Sequence, residues 1–86
     1  MLKIWAKTQL EEKITRDLMY TKDENFDEDR FVDYLMEICY KLDIPTPLIL
    51  KTHTNHFREF NVVRFKAVDF VEPIDFAVLV LENASE

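Results

Sequence analysis

His53, His56 and Glu59 recur at three-residue intervals. On a helix, side chains three apart are neighbours, so a His-x-x-His pair can offer two imidazoles to one cation. The hydrolytic zinc signature spaces its histidines four apart with a general-base glutamate between them. Here the spacing is three and Asn55 precedes His56, so that chemistry is not encoded. Two solvated histidines are the plainer reading. Around them Lys51, Arg58, Arg64 and Lys66 interleave with Phe57, Phe60 and Phe65. Cations beside aromatics are what a single-stranded nucleic acid stacks against, but Arg64-Phe65-Lys66 lacks the glycines of the RNA-recognition signature. The four bases form the candidate partner surface.

Other chemistry is thinly represented. Cys39 is the only cysteine, which rules out an internal disulfide or a cysteine-only metal cluster. It falls at helical spacing among Val32, Leu35, Met36 and Leu42, where packing accounts for it better than nucleophilicity. The only serine is Ser85, and no nucleophile–base–orienter set is visible. Carboxylates are plentiful, but nothing marks a pocket that would separate their pKa values. The expectation is therefore no catalysis, no cofactor and no metal.

The 86 residues suffice for one domain, residues 1–86. Hydrophobic residues at 48% can furnish a core. The formal charge of −6 opposes general polyanion binding, which needs clustered bases. That charge is uneven. Residues 23–37 hold seven acids against Arg30, whereas residues 51–66 hold four bases and two histidines against Glu59. Such polarity can orient a partner. The acids of residues 23–37 could face a basic partner or imitate nucleic-acid phosphates, although a solvated helix face with dipole-favoured acids at its start explains them better. The N-terminal segment is broken by lysines and carries no signal-peptide run, and Phe76–Leu81 is too short to span a bilayer. With a lone thiol, these features predict a cytoplasmic protein with no membrane partner.

The elements that must position these groups are legible in part. Residues 2–8 alternate Leu2, Ile4 and Ala6 against Lys3, Trp5 and Lys7, the period of a half-buried strand. Residues 13–21 alternate again, with Ile14, Leu18 and Tyr20 on one face. Because the chain has no glycine, the hairpin between them is expected to use a four- or five-residue loop built on a type I turn. All turns must be made with Asn, Asp, Pro or right-handed geometry. Trp5 is expected to be buried beneath residues 52–66.

Asn25 to Asp43 reads as one long amphipathic helix. Phe31, Leu35, Ile38 and Leu42 form its apolar row, and Val32, Met36 and Cys39 a second row beside it. Asn25 or Asp27 can cap it, and Pro45 must follow its end. Leu48-Ile49-Leu50 reads as a short strand, and Thr54 as the cap of a helical turn over residues 55–60 with Phe57 and Phe60 on one side. Residues 61–73 mix strand formers with a pattern that Pro73 interrupts. The last element reads as a strand from Ile74 to Glu82, in which Phe76–Leu81 is apolar on both faces, as a central strand would be.

The order strand, strand, helix, strand, strand predicts an α+β fold: a β-grasp-like mixed sheet (ββαββ), with the last strand parallel to the first and one long helix across one face. A plain, mainly antiparallel α+β sheet is the rival. Ile4-Trp5-Ala6, Glu37-Ile38-Cys39-Tyr40, Phe57 to Phe60, Arg64-Phe65, Asp69-Phe70-Val71-Glu72 and Ile74-Asp75-Phe76 together resemble a family of short bacterial proteins of unknown function, which departs from this chain at Ala77. The resemblance implies a domain of this length and no particular chemistry. The layout also resembles β-grasp domains. The ending Asn83-Ala84-Ser85-Glu86 lacks the Gly-Gly of their activated carriers, and one cysteine cannot ligate a ferredoxin cluster. These features point to a non-enzymatic interaction module that binds another protein or a second copy through a sheet face or edge. The alternative is a nucleic-acid-associated role for residues 51–66, and a small enzyme or metal protein comes third.

Overall fold

A computed structural model describes residues 1–85. Strands β1 (Leu2–Leu10) and β2 (Lys13–Lys22) form a hairpin. Their loop has only two residues, Glu11 and Glu12, at φ 52° and 68°. That is the left-handed geometry of a type I′ turn, whose twist matches the flanking strands. The longer loop expected from the lack of glycine does not form, because the fit to strand twist outweighs the cost of two left-handed glutamates.

A bulge at Thr15 then changes the parity of β2. Thr8 faces Arg16 while Gln9 faces Ile14. Leu18 and Tyr20 stay on the core face opposite Ala6 and Ile4, but Ile14 is carried to the other face and is half exposed. An extra residue has this effect because side chains alternate with period two.

The single long helix expected over residues 25–43 divides. A 3-10 turn, Glu28–Arg30, is capped by the Asp27 carboxylate, which accepts from the Asp29 N–H at 3.0 Å. Helix α1 runs from Phe31 to Leu42. Asp43, left-handed at φ 58°, ends it in a Schellman arrangement. The Asp43 N–H donates to the Tyr40 carbonyl at 3.2 Å and the Ile44 N–H to the Cys39 carbonyl at 3.0 Å. Phe31, Leu35, Ile38, Leu42 and Cys39 are buried as the spacing requires, with Tyr34 added. Val32 and Met36, expected beside them, are exposed. The core stripe is therefore narrower than the apolar pattern.

Residues 48–50 are not a strand. They lead into helix α2 (Lys51–Phe60), which begins three residues before the expected Thr54 cap. Asn61, at φ 60°, closes α2, its N–H donating to the Phe57 carbonyl at 2.8 Å. Strand β3 (Val62–Lys66), a 3-10 turn (Ala67–Asp69) and strand β4 (Val78–Asn83) complete the chain.

The sheet order is β2-β1-β4-β3, and every neighbouring pair is antiparallel. The last strand does lie beside the first at the centre, but it runs against it, so the sheet is not mixed. The reason is directional. β3 runs parallel to β1 without touching it, and the 67–77 connection returns the chain at the end where β3 finished.

The core lies on one face of this sheet. Leu2, Ile4 and Ala6 of β1, Leu79 and Leu81 of β4, and Val63 and Phe65 of β3 meet Phe31, Leu35, Ile38 and Phe57 of the helices. Phe26, Phe31 and Phe57 cluster with ring centroids 5.3–6.3 Å apart. Burying each large side chain contributes roughly 1.5–3 kcal/mol. β4 begins four residues later than the expected start at Ile74, so Phe76 precedes the strand. It is still buried, edge-on to Phe70 at 5.5 Å.

No helix among the described residues is long and apolar enough to cross a membrane.

Candidate functional site: the groove between α2 and β3

β3 is one of the two edges of the sheet. Helix α2 lies alongside it, and an open groove of about 340 Å³ separates them, lined by Thr52, His53, His56, Val63 and Arg64. Val63 and Arg64 are consecutive strand residues whose side chains leave opposite faces of the sheet. Both can line one groove because it follows the edge of the strand, where the main chain shows.

The hydrogen bonds fix which main-chain groups face this groove. The Asn61 carbonyl accepts from the Asn83 N–H at 2.8 Å and so points inward to β4. The Val62 carbonyl instead meets His56 Nδ1 at 2.7 Å, and the Lys66 N–H donates to Asp69 Oδ2 at 2.9 Å. Both of these groups point outward. By the two-residue alternation of an antiparallel ladder, the N–H and C=O of Arg64 point outward as well. Neither has a partner among the described residues.

The two histidines serve the main chain. His53 Nδ1 accepts from the Leu50 N–H at 2.9 Å, which caps α2 in place of a missing Ncap side chain. That bond leaves the proton on Nε2, 3.8 Å from the Asp69 carboxylate. The His53 ring lies on Phe65 at 4.5 Å. A carbonyl only accepts, so His56 must carry its proton on Nδ1 to donate to Val62. Among the described residues no three His, Cys, Asp or Glu side chains converge to hold a metal.

The four bases singled out in the sequence are dispersed. Arg58 sits on α2 and is engaged by Glu28 at 2.7 Å and Glu59 at 3.5 Å. Lys51 opens α2 and is exposed. Arg64 and Lys66 are exposed positions of β3. Of the interleaved aromatics, Phe57 and Phe65 are in the core, and only Phe60 is exposed, its ring 4.7 Å from His56. Phe57 and Phe60 therefore do not share one environment.

Three of the four arginines are paired: Arg16 with Asp75 at 2.9 Å, Arg30 with Glu24 at 2.9 Å, and Arg58 with Glu28. Arg64 has no carboxylate partner among the described residues, and neither do Lys51 and Lys66. Lys3, Lys13 and Lys41 lack one too, so it is among the arginines that Arg64 stands apart. The sequence marked Arg64 as a candidate through composition. It gave no signal for the exposed Arg64 main chain, which depends on β3 being an edge.

Trp5 is not beneath residues 52–66. It lies on the sheet face opposite the helices, half-buried, with Lys7 Nζ 3.7 Å from the ring centroid and the indole N–H 3.4 Å from Asp17 Oδ2. Lys7 also bonds Glu82 at 3.1 Å. Lys7 and Arg64 flank Val80 in register, and Val80 is 2% exposed although no layer covers this face. The long side chains shield it with their stems.

Cys39 is a buried free thiol, and burial pushes it up to about 11. A second open groove, about 400 Å³, lies near Arg16, Asp43, Pro45, Pro73 and Phe76, where the Arg16–Asp75 pair closes one side with two bonds of 2.9 and 3.1 Å.

No family model, curated protein or solved structure matches the chain.

Proposed function

We propose that this chain is a non-enzymatic interaction module of the cytoplasm that binds another protein along the outer edge of β3. The observation that carries this reading is the unsealed main chain of Arg64 beside the α2 groove. Exposed edges template pairing with another chain, and folded proteins normally blunt them. Here His56 and Asp69 blunt the two ends and leave the middle open. A further feature favours binding over chemistry: both imidazoles are committed at Nδ1 to the main chain. The nucleic-acid alternative is weakened because Phe57 and Phe65 are core residues with no face free for a base. The buried free thiol suits a reducing compartment.

The test is site-directed photo-crosslinking in native cells. A photoreactive residue replaces Thr52 at the groove or Thr21 on β2 at the far edge. The reading expects a protein adduct from position 52 and none from position 21. Equal adducts from both, or none from position 52, refute it.

A further inference from the structure

We propose that the α2–β3 groove receives a short extended segment of an acidic partner protein, which adds to β3 as a fifth strand and sets a carboxylate on Arg64. The inference rests on the interaction reading above and specifies the partner's chemistry and backbone geometry.

Three observations lead to this class of ligand. The first is main-chain valence. Between the sealed Val62 carbonyl and the sealed Lys66 N–H, the edge offers the N–H and C=O of Arg64. One residue of an incoming strand satisfies both groups when it lies opposite Arg64 in a hydrogen-bonded pair. The second is length. The five residues of β3 span roughly 17 Å at about 3.4 Å per residue, and His56 and Asp69 close the two ends, so the segment that fits is short.

The third is charge. Arg64 is the one arginine without a carboxylate among the described residues, and Lys51 and Lys66 are equally unengaged. The nearby acids are already occupied. Glu59 is held by Arg58, and Asp69 accepts from Lys66 N–H and faces His53. A guanidinium pairs with a carboxylate through two parallel bonds, which adds orientation as well as attraction. The same charges disfavour a second copy of this chain. Two β3 edges meeting antiparallel about Arg64 would set Arg64 against its twin, and like charges directly opposed are destabilising.

The probe is a fluorescein-labelled seven-residue peptide of alternating valine and glutamate, blocked at both ends. Its comparators replace glutamate with lysine or carry an N-methyl group on the central residue, which deletes the donor to the Arg64 carbonyl. Binding is read by fluorescence anisotropy, and amide hydrogen exchange locates the strand. The expected result is saturable binding of the glutamate peptide with slowed exchange at the Arg64 N–H. Arg64→Gln and the N-methyl peptide should each weaken binding by about tenfold, the loss of one good contact. Arg64→Pro, which removes a donor that is not part of the ladder, should abolish it. The N-methyl comparison needs no protein variant, so it stands even where a substitution unfolds the chain.

Equal binding of the lysine peptide would overturn the proposal. So would indifference to N-methylation, protection on β2 in place of Arg64, or displacement of the peptide by an oligothymidylate with no exchange signature at Arg64. A position-52 adduct in cells without glutamate-peptide binding would retain the interaction reading and defeat this one.

Discussion

Replacing Glu11-Glu12 with Asn-Gly should stabilise the protein. Both glutamates are left-handed, at φ 52° and 68°, where the Cβ of an L-residue crowds the backbone at a cost of about 1–2 kcal/mol each. Asparagine tolerates this region and glycine has no Cβ, which is why Asn-Gly dominates type I′ turns. Glycine also loosens the unfolded chain, which returns roughly 0.4–1 kcal/mol. The net gain is about 1–2 kcal/mol. For a domain of this size each kcal/mol moves Tm by about 4–8 °C, so a rise of roughly 5–15 °C is expected. Thermal unfolding and urea denaturation with an unchanged m-value measure it. Glu11→Gln/Glu12→Gln separates the two possible causes, because it removes adjacent like charges and keeps the backbone demand. If the glutamine pair matched the gain of Asn-Gly, or if Asn-Gly gained under about 0.5 kcal/mol, the backbone argument would be wrong.

Other outcomes follow from the packing and the ion pairs. Phe76→Ala should cost about 3–5 kcal/mol in urea unfolding, since the ring is buried against Phe70, whereas the exposed Asp29→Ala should stay within about 0.5 kcal/mol. Hydrogen bonds from Tyr20 and Lys22 hold the Glu37 carboxyl below its ordinary value, and the Arg16 guanidinium does the same for Asp75. A depressed carboxylate stabilises the fold above its unfolded pKa and loses that effect as pH falls through its folded value. The stability gap between wild type and Glu37→Gln/Asp75→Asn should therefore be present at pH 7 and close below about pH 4; a gap that stays constant to low pH would exclude these pairs. Cys39, with its thiol pushed up to about 11 by burial, should react with a thiol reagent slowly in the native protein and quickly in urea.

Local patterns carried further than directions did. Phe31, Leu35, Ile38 and Leu42 were readable as a core row because their spacing tracks one side of a helix, and the run ending at Leu81 was readable as central because it is apolar on both faces. Val32 and Met36 have the same periodicity but face solvent, because the width of a buried stripe is set by what packs against it and not by the helix itself. Strand direction was not legible. It depends on how many times the chain reverses, and reading residues 48–50 as a strand in place of the lead into α2 changed that parity. Asp43 and Asn61 fit the general rule that a chain without glycine turns on Asn, Asp or Pro, but no residue rule foresaw two glutamates in a type I′ turn, where strand twist decides. Within the candidate site, Arg64 was visible as a charge. Its free main chain was not, since edge status is a property of the whole sheet.

The position of β4 has a consequence for how the molecule is made. It is the last of the four strands in chain order and yet sits between β1 and β3, and among the described residues it is the only strand that β3 pairs with. A ribosome delivers β1, β2 and both helices before this inner strand. Until Val78–Asn83 emerges, the nascent chain can close its N-terminal hairpin but must hold Leu2, Ile4 and Ala6 without their neighbours Leu79 and Leu81. Assembly is thus gated by a loop closure more than seventy residues long between Ile4 and Asn83, a separation of the kind that slows folding and prolongs the time in which apolar strands stay open to other chains.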